Sequence, residues 1–100
     1  MLADEEYWKS IKNYIRDNFS VEPNVHTIIF LIGIRELGYG FIQLDQETKT
    51  KVINFASMFI LKFISEQDKK YLQHPEVDED YKERIYKQGI IRYFKSNQIL

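Results

Sequence analysis

The side chains best able to do chemistry are few and scattered. His26 and His74 are the only histidines, far apart in the chain, and there is no cysteine. That removes disulfides, thiolate catalysis and Cys-based zinc sites. Glu22 and His26 are four apart and would share one helix face. A carboxylate-bridged di-metal bundle, however, needs Glu-x-x-His pairs on two helices together with further glutamates, and the chain has none. Gly33, Gly38 and Gly40 do not form a phosphate loop, because no Gly-x-Gly-x-x-Gly occurs and no glycine is followed directly by Lys-Ser or Lys-Thr. No serine has a Gly-x-Ser-x-Gly setting, and two histidines leave little room for a triad. The paired carboxylates sit in charge runs, where nothing separates their pKa values. The expectation is a chain with no catalytic residue, no metal site and no cofactor.

Two polar groupings have a binding reading beside a plainer one. Arg35 and Glu36 close an apolar segment. They could face a ligand at the domain edge, or form a solvated last helical turn with Arg35 near the negative end of the dipole. Arg84, Gln88, Arg92 and Lys95 share one side of a C-terminal helical pattern. The stretch from Tyr81 onward holds Lys82, Arg84, Lys87, Arg92 and Lys95 against the single acid Glu83. Such a stripe could meet phosphates, with Tyr81 stacking on a base. The plainer reading is a solvated helix face, its charge offset by Glu76, Asp78, Glu79 and Asp80 just before it. The overall net charge is −1, so no global field steers the chain to nucleic acid or anionic lipid.

The elements that must carry these groups read as helices. From Asp4 to Phe19, Tyr7, Trp8, Ile11, Tyr14, Ile15 and Phe19 repeat at helical spacing and fill an arc of roughly 140°. Asp4, Glu5 and Glu6 suit the positive end of that helix. Pro23 fits the first turn of a second helix and Gly38 its left-handed stop. Between them the apolar residues spread around the whole circle. The β-branched content makes a buried strand the competing reading. The length between Pro23 and Gly38 favours a helix. The longest apolar run, Ile28 to Ile34, is far shorter than the roughly 20 residues of a membrane span.

Tyr39 to Leu44 reads as a connector anchored by Phe41 and Leu44. Asp45 caps a third helix that runs to about Ser65. Its apolar arc of roughly 180° holds Val52, Ile53, Phe55, Ala56, Phe59, Ile60, Phe63 and Ile64. Glu66 to Asp80 reads as a frayed end and then a loop. Asp78 caps a fourth helix, Glu79 to about Ser96, with Ile85, Tyr86, Gly89, Ile90, Tyr93 and Phe94 on its apolar face. Gly89 within that face suggests close approach of another helix. The tail from Asn97 to Leu100 reads as loose.

The segment Phe30-Leu31-Ile32-Gly33-Ile34-Arg35-Glu36-Leu37-Gly38, with the apolar third helix after it and Gly89-Ile90-Ile91-Arg92-Tyr93-Phe94 near the end, resembles small uncharacterised all-helical proteins of Bacteroidetes-type bacteria. The resemblance spans about Pro23 to Ile64 plus the last helix. It implies no activity, cofactor or site residue.

The expected fold is therefore a single all-α domain over residues 1–100, a compact set of four helices of which the apolar one at about 23–38 is central and buried. The acidic N-terminus is not a signal peptide, and the absence of cysteine suits the cytoplasm. Met58 and Leu61 fall outside the third helix's apolar arc, beside Asn54, Ser57 and Lys62. Either Phe41–Leu44 wraps over them or they form a contact surface, most simply a symmetric homodimer. Protein–protein contact through Met58 and Leu61 is the leading functional expectation. Nucleic-acid contact through Arg84, Arg92 and Lys95 is the alternative.

Overall fold

Four of the helices begin where a short polar side chain satisfies a free backbone N–H group. The computed structural model describes residues 4–39, 44–76 and 78–100. Within them lie α1 (Asp4–Phe19), α2 (Val25–Leu37), α3 (Gln46–Ile60), α4 (Glu66–Leu72) and α5 (Glu79–Ser96), with a 3-10 turn at Leu61–Phe63 and no strand. The fold is all-α, as the periodicity implies. Asp45 accepts from the Thr48 N–H at 2.7 Å and Asp78 from the Asp80 N–H at 3.1 Å. The Thr48 bonds hold the Asp45 carboxyl below the usual carboxylate range. Gly38 ends α2 at φ 77°, a conformation that a Cβ would strain.

Three boundaries differ from the sequence reading. Pro23 is buried just before α2 rather than in its first turn, and Asn24 is the cap, accepting from the Thr27 N–H at 2.8 Å. The third helix stops at Ile60, tightens into the 3-10 turn, and Ile64 turns extended (φ −108°, ψ 141°). The supposed loop after it contains α4, capped by Ser65 through the Asp68 N–H. Its acids lie in the first turn and Lys69 and Lys70 in the last, matching the dipole.

The tail is docked rather than loose. Gln98 takes φ 53° and the Ile99 N–H donates to the Phe94 carbonyl at 3.2 Å, the six-to-one bond of a Schellman stop. Ile99 packs against the core as that motif requires.

The core is built largely from isoleucine. Trp8, Ile11 and Ile15 come from α1, Val25, Ile28, Ile29 and Ile32 from α2, Ala56 and Ile60 from α3, and Ile85, Ile90, Ile91, Tyr93 and Phe94 from α5. Each fully buried isoleucine contributes roughly 1.5–3 kcal/mol. The apolar α2 is buried along most of its length against α3 and α5. α5 has the widest set of neighbours, touching α1, α2, α3 and the 3-10 turn. It shares the central place with α2.

Two glycines set the closest approaches. A Cβ on Gly33 would lie 2.9 Å from the Ala56 Cβ and 3.0 Å from the Val52 carbonyl oxygen, so α2 and α3 nearly touch backbones. A Cβ on Gly89 would meet Ile64 at 3.1 Å and Ile60 at 3.2 Å, bearing out close approach at that point of α5.

Candidate functional site

The outer side of α3 is where apolar surface exceeds what the fold consumes. Its inner stripe of Val52, Ala56 and Ile60 is fully buried. Phe55 and Met58 are three apart and therefore neighbours on the helix surface. Met58 is 69% exposed and Phe55 36%. Ile53, further round the helix, is 46% exposed. Ile53 and Phe55 belong to the arc that the sequence assigns to the core. That arc is wider than the strip α3 presents to α2 and α5, so its flanks stay outside.

Met58 and Leu61 part company. Leu61 opens the 3-10 turn, which packs on α5, and its side chain is half-buried against the core. The patch thus centres on Met58. Phe55 stacks on Phe59, with centroids 5.7 Å apart and planes at 21°, and Phe59 leads to Phe63 at 5.7 Å. Both Phe59 and Phe63 meet the fully buried Tyr93 edge-on, at 5.9 and 5.5 Å. A row of rings runs from solvent to the core. Lys62 rims it, with its ammonium 5.1 Å from the Phe59 centroid. Phe41–Gln43, the segment that would cover Met58 in the alternative reading, lies outside the described residues.

At the inner end of this row, Arg35 and Glu36 acquire a partner that neither charge pattern nor spacing reveals. The Tyr93 hydroxyl donates to Glu36 Oε1 at 2.5 Å and accepts from Arg35 Nη1 at 2.7 Å, and the guanidinium closes the ring with Glu36 at 3.0 Å. Burial, and then the bond to Glu36, push the Tyr93 hydroxyl up to about 12. The group is a satisfied polar knot pinning the end of α2 to α5. Beside it, a hollow of about 80 Å³ between α1, α2 and α5 is lined by apolar side chains with Arg35 and Tyr93 at its edge.

Most of the basic side of α5 is engaged within the molecule, while Arg84 stays exposed. Arg92 donates to the Phe63 carbonyl at 3.0 Å and so caps the 3-10 turn. Lys95 reaches Asp4 at 3.4 Å and lies 5.0 Å from the Tyr7 centroid. Lys87 reaches Glu5 at 3.5 Å and lies 5.4 Å from the Trp8 centroid. Lys87 and Lys95 take their counter-charges from α1, while Lys82 pairs with Glu79 of the acidic run at 3.3 Å. Arg84 lines a polar hollow with Asp80, Glu83 and Lys87. His26 and His74 are both exposed and remain apart, and Glu22 is exposed before α2. Among the described residues no helix is long and apolar enough to cross a membrane.

No family model, curated protein or solved structure matches the chain.

Proposed function

We propose that this chain is a non-catalytic helical module that acts through protein–protein contact, as a homodimer formed across the outer face of α3 around Met58. The observation that carries the proposal is the exposure of Met58 beside the stacked Phe55–Phe59 pair. Single exposed aliphatics are ordinary on a protein surface, but an apolar side chain continuous with a ring stack offers a ready interface core. Isologous pairing lets one such patch cover its own copy. The proposal includes a bacterial, cytoplasmic setting, which the lack of cysteine and the resemblance of Phe30–Gly38 and Gly89–Phe94 support. Light scattering at about 50 μM, where a micromolar dimer is mostly formed, is expected to give twice the 12.1 kDa of the chain.

Nucleic-acid contact through Arg84, Arg92 and Lys95 is the lesser reading. A phosphate would compete with the Phe63 carbonyl for Arg92 and with Asp4 for Lys95. Fluorescence anisotropy with a labelled duplex at low salt, where phosphate contacts are strongest, separates the two readings. The dimer reading expects no binding there.

A further inference from the structure

Ring faces in this molecule are repeatedly covered by its own cations. Arg35 lies over Tyr93 at 5.8 Å, Lys62 over Phe59, Lys87 over Trp8 and Lys95 over Tyr7. Tyr71, from the last turn of α4, and Tyr81, from the first turn of α5, are different. Their centroids are 5.4 Å apart with planes at 57°, so the rings form a tilted corner. They are 47% and 39% exposed. Among the described residues no cation stands over either ring.

The corner lines a hollow of about 380 Å³ whose other walls are His74, Glu76 and Asp78. The His74 Nδ1 accepts from the Glu76 N–H at 3.4 Å. One oxygen of Asp78 is engaged by the Asp80 N–H. The Glu76 carboxylate makes no hydrogen bond or ion pair among the described residues. The hollow therefore combines two aromatic rings with carboxylates that form no ion pair among the described residues. Lys70 lines the adjoining hollow with Tyr71 and His74, and its ammonium stands over neither ring.

We propose that the Tyr71–Tyr81 hollow binds a trimethylammonium group. Aromatic faces attract cations through the ring quadrupole, and the attraction grows when the cation loses little hydration on approach. A plain ammonium is strongly hydrated and gains little at so open a site. A methylated one spreads its charge over methyl groups that pack on both rings, while Glu76 and Asp78 supply the counter-charge. The group can be carried by a free small molecule such as choline or by a trimethylated lysine in a protein tail.

The test is calorimetric titration of the full chain with choline, with its neutral carbon isostere 3,3-dimethylbutan-1-ol, and with a short peptide bearing trimethyl-lysine or unmodified lysine. Choline is expected to bind saturably with a roughly millimolar Kd, and the neutral isostere at least about tenfold more weakly. Tyr81→Leu, which keeps apolar volume but removes the π face, should abolish the signal, while Tyr81→Phe should retain it. Glu76→Gln should weaken it several-fold. Tighter binding of the trimethyl-lysine peptide than of choline assigns the group to a protein tail, and the reverse assigns it to a small molecule. Equal binding of choline and the isostere, choline binding unchanged in a folded Tyr81→Leu, or no saturation by about 50 mM with every ligand overturns the proposal.

Discussion

The outer side of α3 and the basic side of α5 are both solvent-facing backs of core helices, yet they are used in opposite ways. On α5 the cations turn inward to the molecule's own acceptors: Lys95 to Asp4, Lys87 to Glu5, Arg92 to the Phe63 carbonyl. These contacts fasten α1 and the 3-10 turn to α5. On α3 the apolar side chains have no such use, and Met58 projects from a helix whose packing is complete without it. A charged side with internal partners is part of the scaffold. An apolar side without them is surplus to folding, and that is where a functional contact is best sought.

The largest effect expected from this contrast is at the 3-10 turn. Leu61→Asp places a carboxylate against the core edge and should destabilise the fold by about 2–4 kcal/mol, read as a lower midpoint in urea. A midpoint that did not move would return Leu61 to the outer surface. Next comes the inner seam of α3. Gly33→Ala drives a methyl into Ala56 and Val52 and should cost about 1–3 kcal/mol despite alanine's better helix propensity. Gly89→Ala meets the Cγ1 atoms of Ile64 and Ile60 at 3.1 and 3.2 Å, looser than the contacts at Gly33, and should cost less.

The cations of α5 come below these. Arg92→Ala should cost about 1 kcal/mol by leaving the Phe63 carbonyl to water. Lys95→Ala should cost roughly 0.5 kcal/mol, and less in high salt, because its ion pair is exposed. Thermal melts at two salt concentrations check both. If these variants left stability untouched while abolishing a nucleic-acid interaction, the roles of the two backs would be exchanged.

Tyr93, where the ring row from α3 meets α5, gives the contrast a pH signature. Its folded-state hydroxyl is raised to about 12, against about 10 for an unfolded tyrosine. The associated stabilisation is complete below pH of about 10 and is lost as pH rises towards about 12, because the unfolded chain releases that proton first. Melting temperature should fall across this window, and Tyr93→Phe should flatten the fall.

Much of this was legible in residue types. Asp45, Asp78 and Gly38 end or begin helices for local reasons that need no tertiary partner. The apolar faces of α1 and α5 follow from spacing. Gly89 marked a close approach, while the still closer one at Gly33 was hidden inside a run that is apolar on every side. α4 escaped because it buries no residue and so leaves no apolar periodicity, although Ser65, its acidic first turn and its basic last turn were there to read. The docked tail escaped because a glutamine, rather than a glycine, holds the left-handed position at Gln98.

The candidate site was half legible. Met58 stands outside because its place on the helix faces away from the core. Leu61 does not, because the helix changes its winding at that residue and no glycine or proline announces it. The bond of Tyr93 to Arg35 and Glu36 joins residues distant in the chain, and only the packing of α2 on α5 creates it. The role of the basic side was invisible for the same reason, since Lys87 and Lys95 meet α1 from the opposite end of the sequence and Arg92 meets the distant Phe63 carbonyl.

The measurement that bears most directly on the central claim is sedimentation of wild-type protein and Met58→Glu over a concentration series, paired with a thermal melt of each as dilute monomer. A homodimer built on the α3 face predicts a wild-type mass rising to twice the monomer and a variant that stays monomeric, with monomer stabilities within about 0.5 kcal/mol. A wild type that remains at 12.1 kDa throughout, or a Met58→Glu that dimerises equally well, would contradict it.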